Sequence, residues 1–262
     1  MAILDEVSKR VLEDRAHEAM QFQGTLDGIV NKLTRIERLS LLDKAFPPPR
    51  LVRGVLDISI ESEDICGEQK YNLVRDALDI SLAAYNQDFL DVRKRLQEFN
   101  QSKLGGEIIQ QKDITSLYAY HYSNLKKTLG DIDYFTQGEP IHLLGISHGG
   151  LPPAMNTYLA YRDSERKGSK QSSMYTFRFS ASKQEDDRPR LTDYENDVIL
   201  EEGKDKKIML LDEDISTGKT LLQAEKYLTG HLGIKDYGTL VYDHSFASWL
   251  KRGQTVLDIV RK

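Results

Sequence analysis

The stretch Lys206-Lys207-Ile208-Met209-Leu210-Leu211-Asp212-Glu213-Asp214-Ile215-Ser216-Thr217-Gly218-Lys219-Thr220 constrains the fold of this chain more than any other. Its four consecutive apolar residues, Ile208 to Leu211, suit a central parallel strand covered on both faces. An acidic turn follows, then a Ser/Thr/Gly-rich loop and a helix expected from about Lys219 to Tyr227. Unbonded N–H groups and the positive end of the helix dipole would make that loop a phosphate cradle. Asp212 and Glu213 cannot themselves bind phosphate, so they call for sugar hydroxyls or a divalent metal. A sugar phosphate satisfies both halves of the motif.

The order of apolar run, acidic pair, Ser216 and Thr217-Gly218-Lys219-Thr220 resembles the phosphoribosyl-diphosphate motif of type I phosphoribosyltransferases. A P-loop would need glycine where Glu213 stands, which argues against a Walker-type nucleotide site.

Bulk composition fits this reading. In 262 residues, 29% charged, 39% hydrophobic and with net charge −5, the chain reads as an ordinary soluble protein, which disfavours nucleic acid as the main partner. The length allows one large or two modest domains. Cys66 is the single cysteine, which excludes an internal disulfide. Asp5, Glu6, Lys9, Arg10, Glu13 and Asp14 stand where a secretion signal needs an apolar run, and no stretch approaches the roughly 20 apolar residues of a membrane span. A cytoplasmic location, with no membrane partner, is the expectation.

Residues 1–105 read as a mainly helical region. Apolar residues recur at helical spacing over Met1–Met20 and again over Thr25–Ala45. Pro47-Pro48-Pro49 is expected to stop helix formation and set an extended connector, and the alternation from Leu56 to Ile60 suggests a strand. One long helix is expected from Glu68 to Phe99. Gly105-Gly106 marks a boundary, and residues 106–262 change character. A helix carrying an aromatic face spans Ile114–Leu129. Strands are expected at His142–Ser147, Met174–Phe179, Ile208–Leu211 and Tyr237–Tyr242, with helices between most of them, including Leu151–Arg162, whose Pro152 and Pro153 suit a first turn. A short segment at Ser245–Leu250 and a strand at Thr255–Val260 close the chain. The fold class is α/β with a parallel sheet.

The resemblance implies more. Gly145-Ile146-Ser147-His148-Gly149-Gly150 looks like the family's diphosphate loop, in the right order and separation upstream of the acidic pair, with Ser147, His148, Gly149 and Gly150 as its contacts. A strained or cis peptide would fall between Ser147 and His148, and His148 stands where many members carry Arg or Lys. Ser180–Asn196, with Lys183, Arg188 and Arg190, falls where members have a mobile polar lid. Ser216, Thr217, Gly218, Lys219 and Thr220 would grip the 5′-phosphate. Asp212 and Glu213, the catalytic pair, would hold the ribose edge and, through its hydroxyls, Mg²⁺. The implied five-stranded core carries the acidic motif at the end of its fourth strand, at a switch-point crevice. Members often form homodimers.

Two departures bear on chemistry. Purine-salvage members usually have Asp where this chain has Ser216, and a hydroxyl cannot manage a base's proton near neutrality. Asp214 replaces a usually apolar residue, and the helical residues 1–105 resemble no acceptor hood of the family, leaving acceptor recognition and partner binding both open to that region. Transfer of a phosphoribosyl group from phosphoribosyl diphosphate to an unidentified acceptor is the leading expectation. A non-catalytic sugar-phosphate or nucleotide sensor and an effector of a bacterial conflict system are the alternatives.

Overall fold

The computed structural model describes residues 22–40, 44–99, 108–111, 122–147, 149–179, 186–213 and 218–242. The chain divides into two compact units, Met1–Tyr120 and His121–Lys262. The division falls later than Gly105-Gly106, because the strand β2 (Ile108–Gln111) pairs antiparallel with β1 (Phe22–Thr25) and so belongs to the first unit. The expected segments at Met1–Met20, Ser245–Leu250 and Thr255–Val260 lie outside the described residues.

The first unit is mainly helical. Thr25 caps α1 (Leu26–Thr34) by accepting the Gly28 amide on its hydroxyl at 3.1 Å, and the helix ends at Arg35 ahead of a 3₁₀ turn at Ile36–Arg38 rather than continuing to Ala45. Pro47-Pro48-Pro49 does not form a connector. It opens α2 (Pro47–Glu61), because prolines in a first turn occupy positions whose N–H groups have no intrahelical acceptor, and their fixed φ is already helical. The strand expected at Leu56–Ile60 is therefore the second half of α2. Leu51, Val52, Val55, Leu56 and Ser59 are all buried, a helical stripe that outweighs the local alternation.

The long helix expected over Glu68–Phe99 is two, α3 (Gly67–Tyr85) and α4 (Phe89–Glu98). Between them Gln87 has φ +61, its amide donates to Ala84 O at 3.1 Å and the Asp88 amide to Ala83 O at 2.9 Å, a Schellman ending. Asp88 then caps α4 through the Asp91 amide at 3.1 Å. α2 packs on α3, with the Ser81 hydroxyl donating to Pro48 O at 2.8 Å and the Tyr85 hydroxyl to Ala45 O at 2.9 Å, so the start of α2 is tied to α3 by buried bonds.

The second unit is α/β. A helix, α5 (Tyr122–Thr136), runs past Leu129, and residues 114–121 of the expected helix lie outside the described residues. Then β3 (Ile141–Ser147), α6 (Leu151–Arg162), β4 (Ser173–Arg178), α7 (Asp193–Gly203), β5 (Lys207–Asp212), α8 (Lys219–Gly230) and β6 (Tyr237–Val241) alternate. The four strands form a parallel sheet in the order β4-β3-β5-β6. Every residue of β3 is buried, His142 and Ser147 included, as fits a strand covered on both faces. Among the described residues the acidic motif closes the third sheet strand in chain order, not a fourth.

Alternation along the strands sorts the helices. Leu144, Tyr175, Leu210 and Thr239 align across the sheet; the Tyr175 hydroxyl donates to Glu195 of α7 at 2.8 Å and the Thr239 hydroxyl to Glu225 of α8 at 2.7 Å, so α7 and α8 cover this face. On the other face a Cβ at Gly145 would stand 2.8 Å from Ala154 Cβ of α6, and one at Gly238 would meet Met209 and Phe135 of α5, so α5 and α6 cover that side.

Candidate functional site

In the order β4-β3-β5-β6 the chain leaves β3 toward one side of the sheet for β4 and returns on the other side as β5. The connections that follow β3 and β5 therefore diverge, and a crevice opens between them at the carboxyl ends of the strands, the general ligand position in open α/β sheets. Both sequence motifs end there: Ser147 closes β3 and Asp212 closes β5.

The two turns press together. A Cβ on Gly149 would collide with Glu213 Oε2 and lie 3.4 Å from Glu213 Cβ; one on Gly150 would lie 2.6 Å from Ile146 O, 3.0 Å from Leu211 O and 3.1 Å from Asp212 Cα. Only glycine lets the turn seat on the β5 end this closely. Asp212, half-buried, accepts the Tyr242 amide on its carbonyl at 3.0 Å and the Glu213 amide on Oδ1 at 2.8 Å, so both its backbone and one carboxylate oxygen are positioned locally. Glu213, also half-buried, lies against Gly149.

Two helices start at this edge. Gly218 has φ 67, a left-handed conformation that favours glycine, and precedes α8 with no side-chain cap, followed by the exposed Lys219 and half-buried Thr220. The first-turn N–H groups and the dipole of this 12-residue helix suit a phosphate. Gly150 precedes α6, again with no side-chain cap. Pro152 and Pro153 remove two of the N–H donors a helix start normally offers, so anion contacts at this end fall to the amides of Gly149, Gly150 and Leu151. The Ser147 hydroxyl is buried and has no hydrogen-bond partner among the described residues. Buried polar atoms without partners are uncommon and call for an explanation.

Ser147, Gly149, Gly150, Asp212, Glu213, Gly218, Lys219 and Thr220 thus all belong to this edge, whereas His148, Asp214, Ser216, Thr217 and the bond between Ser147 and His148 lie outside the described residues. Of the polar segment at Ser180–Asn196, residues 180–185, including Lys183, also lie outside them, and the part from Asp193 on is the first turn of α7 rather than loop. Thr192 and Glu195 form a capping box there. Arg188 lies near the Tyr227 hydroxyl of α8, whose pKa burial pushes up while its hydrogen bond to Asn196 and the Arg188 charge pull it down. One residue that sequence reasoning missed is Arg178, which ends β4 in register with Ser147. A cation closing the strand pattern Met174–Phe177 was the available signal.

Comparison with protein-family models, with curated proteins and with solved structures gave no match to this chain.

Proposed function

We propose that the unit His121–Lys262 has a type I phosphoribosyltransferase-like core that binds phosphoribosyl diphosphate with Mg²⁺ and transfers its phosphoribosyl group to an acceptor, releasing diphosphate. The observation that carries this reading is the seating of the Gly149-Gly150 turn on Asp212 and Glu213 at the switch point, which joins a glycine turn to a pair of carboxylates. In this reading the amides of Gly149 and Gly150 and the Ser147 hydroxyl hold the diphosphate. Asp212 and Glu213 accept the ribose hydroxyls, and the start of α8, from Gly218 to Thr220, holds the 5′-phosphate.

The carboxylates fit a metal that arrives with its ligand. No cluster of three acidic, His or Cys side chains stands ready among the described residues, and one oxygen of Asp212 is taken by the Glu213 amide. Two carboxylates suit Mg²⁺, which keeps waters and is usually shared between one or two protein carboxylates and substrate phosphates. When bound, it would supply charge neutralisation at the departing diphosphate. The rest of the work is orientation: with both ends of the donor fixed, ribose C1 faces the open crevice, where an acceptor can approach.

The test is release of diphosphate from phosphoribosyl diphosphate and Mg²⁺ in the presence of an undialysed, deproteinised cell extract as the source of acceptors. Release by the wild-type protein and not by Asp212→Asn/Glu213→Gln supports transfer. Donor binding without release, whatever the acceptor, overturns transfer and leaves a sugar-phosphate sensor.

A further inference from the structure

The C-terminal edge of β4 holds an ion pair with no part in the reading above. Arg178 Nη2 donates to Asp186 Oδ1 at 3.1 Å, the Arg178 side chain is 12% exposed and that of Asp186 1%. The Arg190 amide donates to Arg178 O at 3.1 Å, and Arg190 Nε stands 3.9 Å from Asp186 Oδ1. Arg178 is in register with Ser147 on the neighbouring strand. Residues in register on parallel strands point to the same face, and this face, shared with Gly145 and Thr176, is the one α6 covers. Arg178, the Ser147 hydroxyl, which has no partner among the described residues, and the glycine turn that leads into α6 therefore belong to one corner of the sheet edge.

The pair is poorly matched for a purely structural tie. Burying two charges is costly, and the cost is recovered only when geometry is good and the remaining hydrogen-bond capacity is filled. Here the carboxylate meets Arg178 through one oxygen, and its other oxygen, Oδ2, is buried with no hydrogen-bond partner among the described residues. A guanidinium binds best through a two-pronged contact to a carboxylate or phosphate, and a diphosphate offers more charge and more oxygens than this carboxylate does. We propose that Asp186 is an internal carboxylate that occupies the Arg178 guanidinium until the diphosphate of the ligand takes its place. The exchange leaves Asp186 within reach of Arg190, whose exposed side chain already faces it.

This proposal rests on the reading of the site as a diphosphate-sugar site, and the test separates the two. Binding of inorganic diphosphate with Mg²⁺, and separately of phosphoribosyl diphosphate with Mg²⁺, is measured by calorimetry on the full chain. Arg178→Met/Asp186→Leu replaces the pair with apolar groups of similar volume, a change that buried pairs often tolerate. It is expected to melt cooperatively but to lose diphosphate affinity by about tenfold or more, and Asp186→Asn, which frees the guanidinium, to bind diphosphate several-fold more tightly. A folded apolar variant that binds diphosphate like wild type overturns the proposal. Should that variant not fold, Arg178→Lys decides: about a threefold or greater loss supports it, and unchanged affinity overturns it. Wild-type protein that binds diphosphate but not phosphoribosyl diphosphate refutes the sugar reading alone, while wild-type protein that binds neither refutes both.

Discussion

Alanine at Gly149 and alanine at Gly150 make a paired test of how the two turns meet. Gly150 has φ −70, ordinary for any residue, so its penalty is steric. The added Cβ would lie 2.6 Å from Ile146 O, 3.0 Å from Leu211 O and 3.1 Å from Asp212 Cα, all backbone atoms of two sheet strands. None can rotate aside, so the turn itself must lift from the β5 end. Overpacking of this kind costs about 1–3 kcal/mol, and for a unit of this size each kcal/mol lowers Tm by about 2–4 °C. At Gly149→Ala the nearest atoms among the described residues belong to the Glu213 side chain, whose carboxylate can turn away, so its stability is expected within about 0.5 kcal/mol of wild type. The cost there is functional, because the displaced carboxylate is one of the two proposed to hold the ribose, and donor affinity is expected to fall about tenfold. Urea denaturation followed by calorimetry reads both. A Gly150→Ala protein as stable as wild type, or a Gly149→Ala protein that is the less stable of the two, would refute the packing argument.

Three further outcomes follow from the packing. Glu195→Ala removes the acceptor of the Tyr175 hydroxyl and of the Thr192 amide and hydroxyl, each bonded at 2.8 Å, and is expected to cost about 2–4 kcal/mol with faster amide exchange in the first turn of α7. Gln87→Gly relieves the left-handed φ of 61 and is expected to stabilise the first unit by about 0.5–1 kcal/mol in a urea titration. Burial raises the Tyr161 pKa above 10.0, so the unfolded chain releases this proton first, and stability is lost as pH rises through 10.0 toward the folded value. Tyr161→Phe, which also loses a hydrogen bond to Glu139 O of 2.7 Å, is expected to be about 1 kcal/mol less stable near pH 8 and to lose stability less steeply near pH 11.

The parallel sheet was legible because its strands are continuous apolar runs with helical spacing between them; β3, α6 and β5 fall within a residue or so of where pattern alone puts them. Where pattern misled, a competing signal was stronger locally than globally. Leu56, Ile58 and Ile60 alternate like a strand, yet Leu51, Val52, Val55 and Leu56 form a stripe only a helix can bury, and the prolines that should break it begin it. The break between α3 and α4 carries Gln87 where glycine is the usual mark, so nothing in composition announced it. The candidate site was legible as two separate motifs. What brings Gly149 against Glu213 is the strand order, which no local pattern encodes. Arg178 escaped for the same reason, since its significance comes from pairing in register with Ser147 and from the burial of Asp186.

In the proposed site Asp212 and Glu213 share one ligand with the glycine turn. Calorimetric titration of phosphoribosyl diphosphate into the wild-type protein and into Asp212→Asn/Glu213→Gln, each with and without Mg²⁺, tests it most directly. Mg²⁺-dependent binding by the wild-type protein is expected, with a loss of about a hundredfold or more in the double variant, the scale of two charge-assisted contacts. Equal binding by the two folded proteins, or no binding by either, would contradict it.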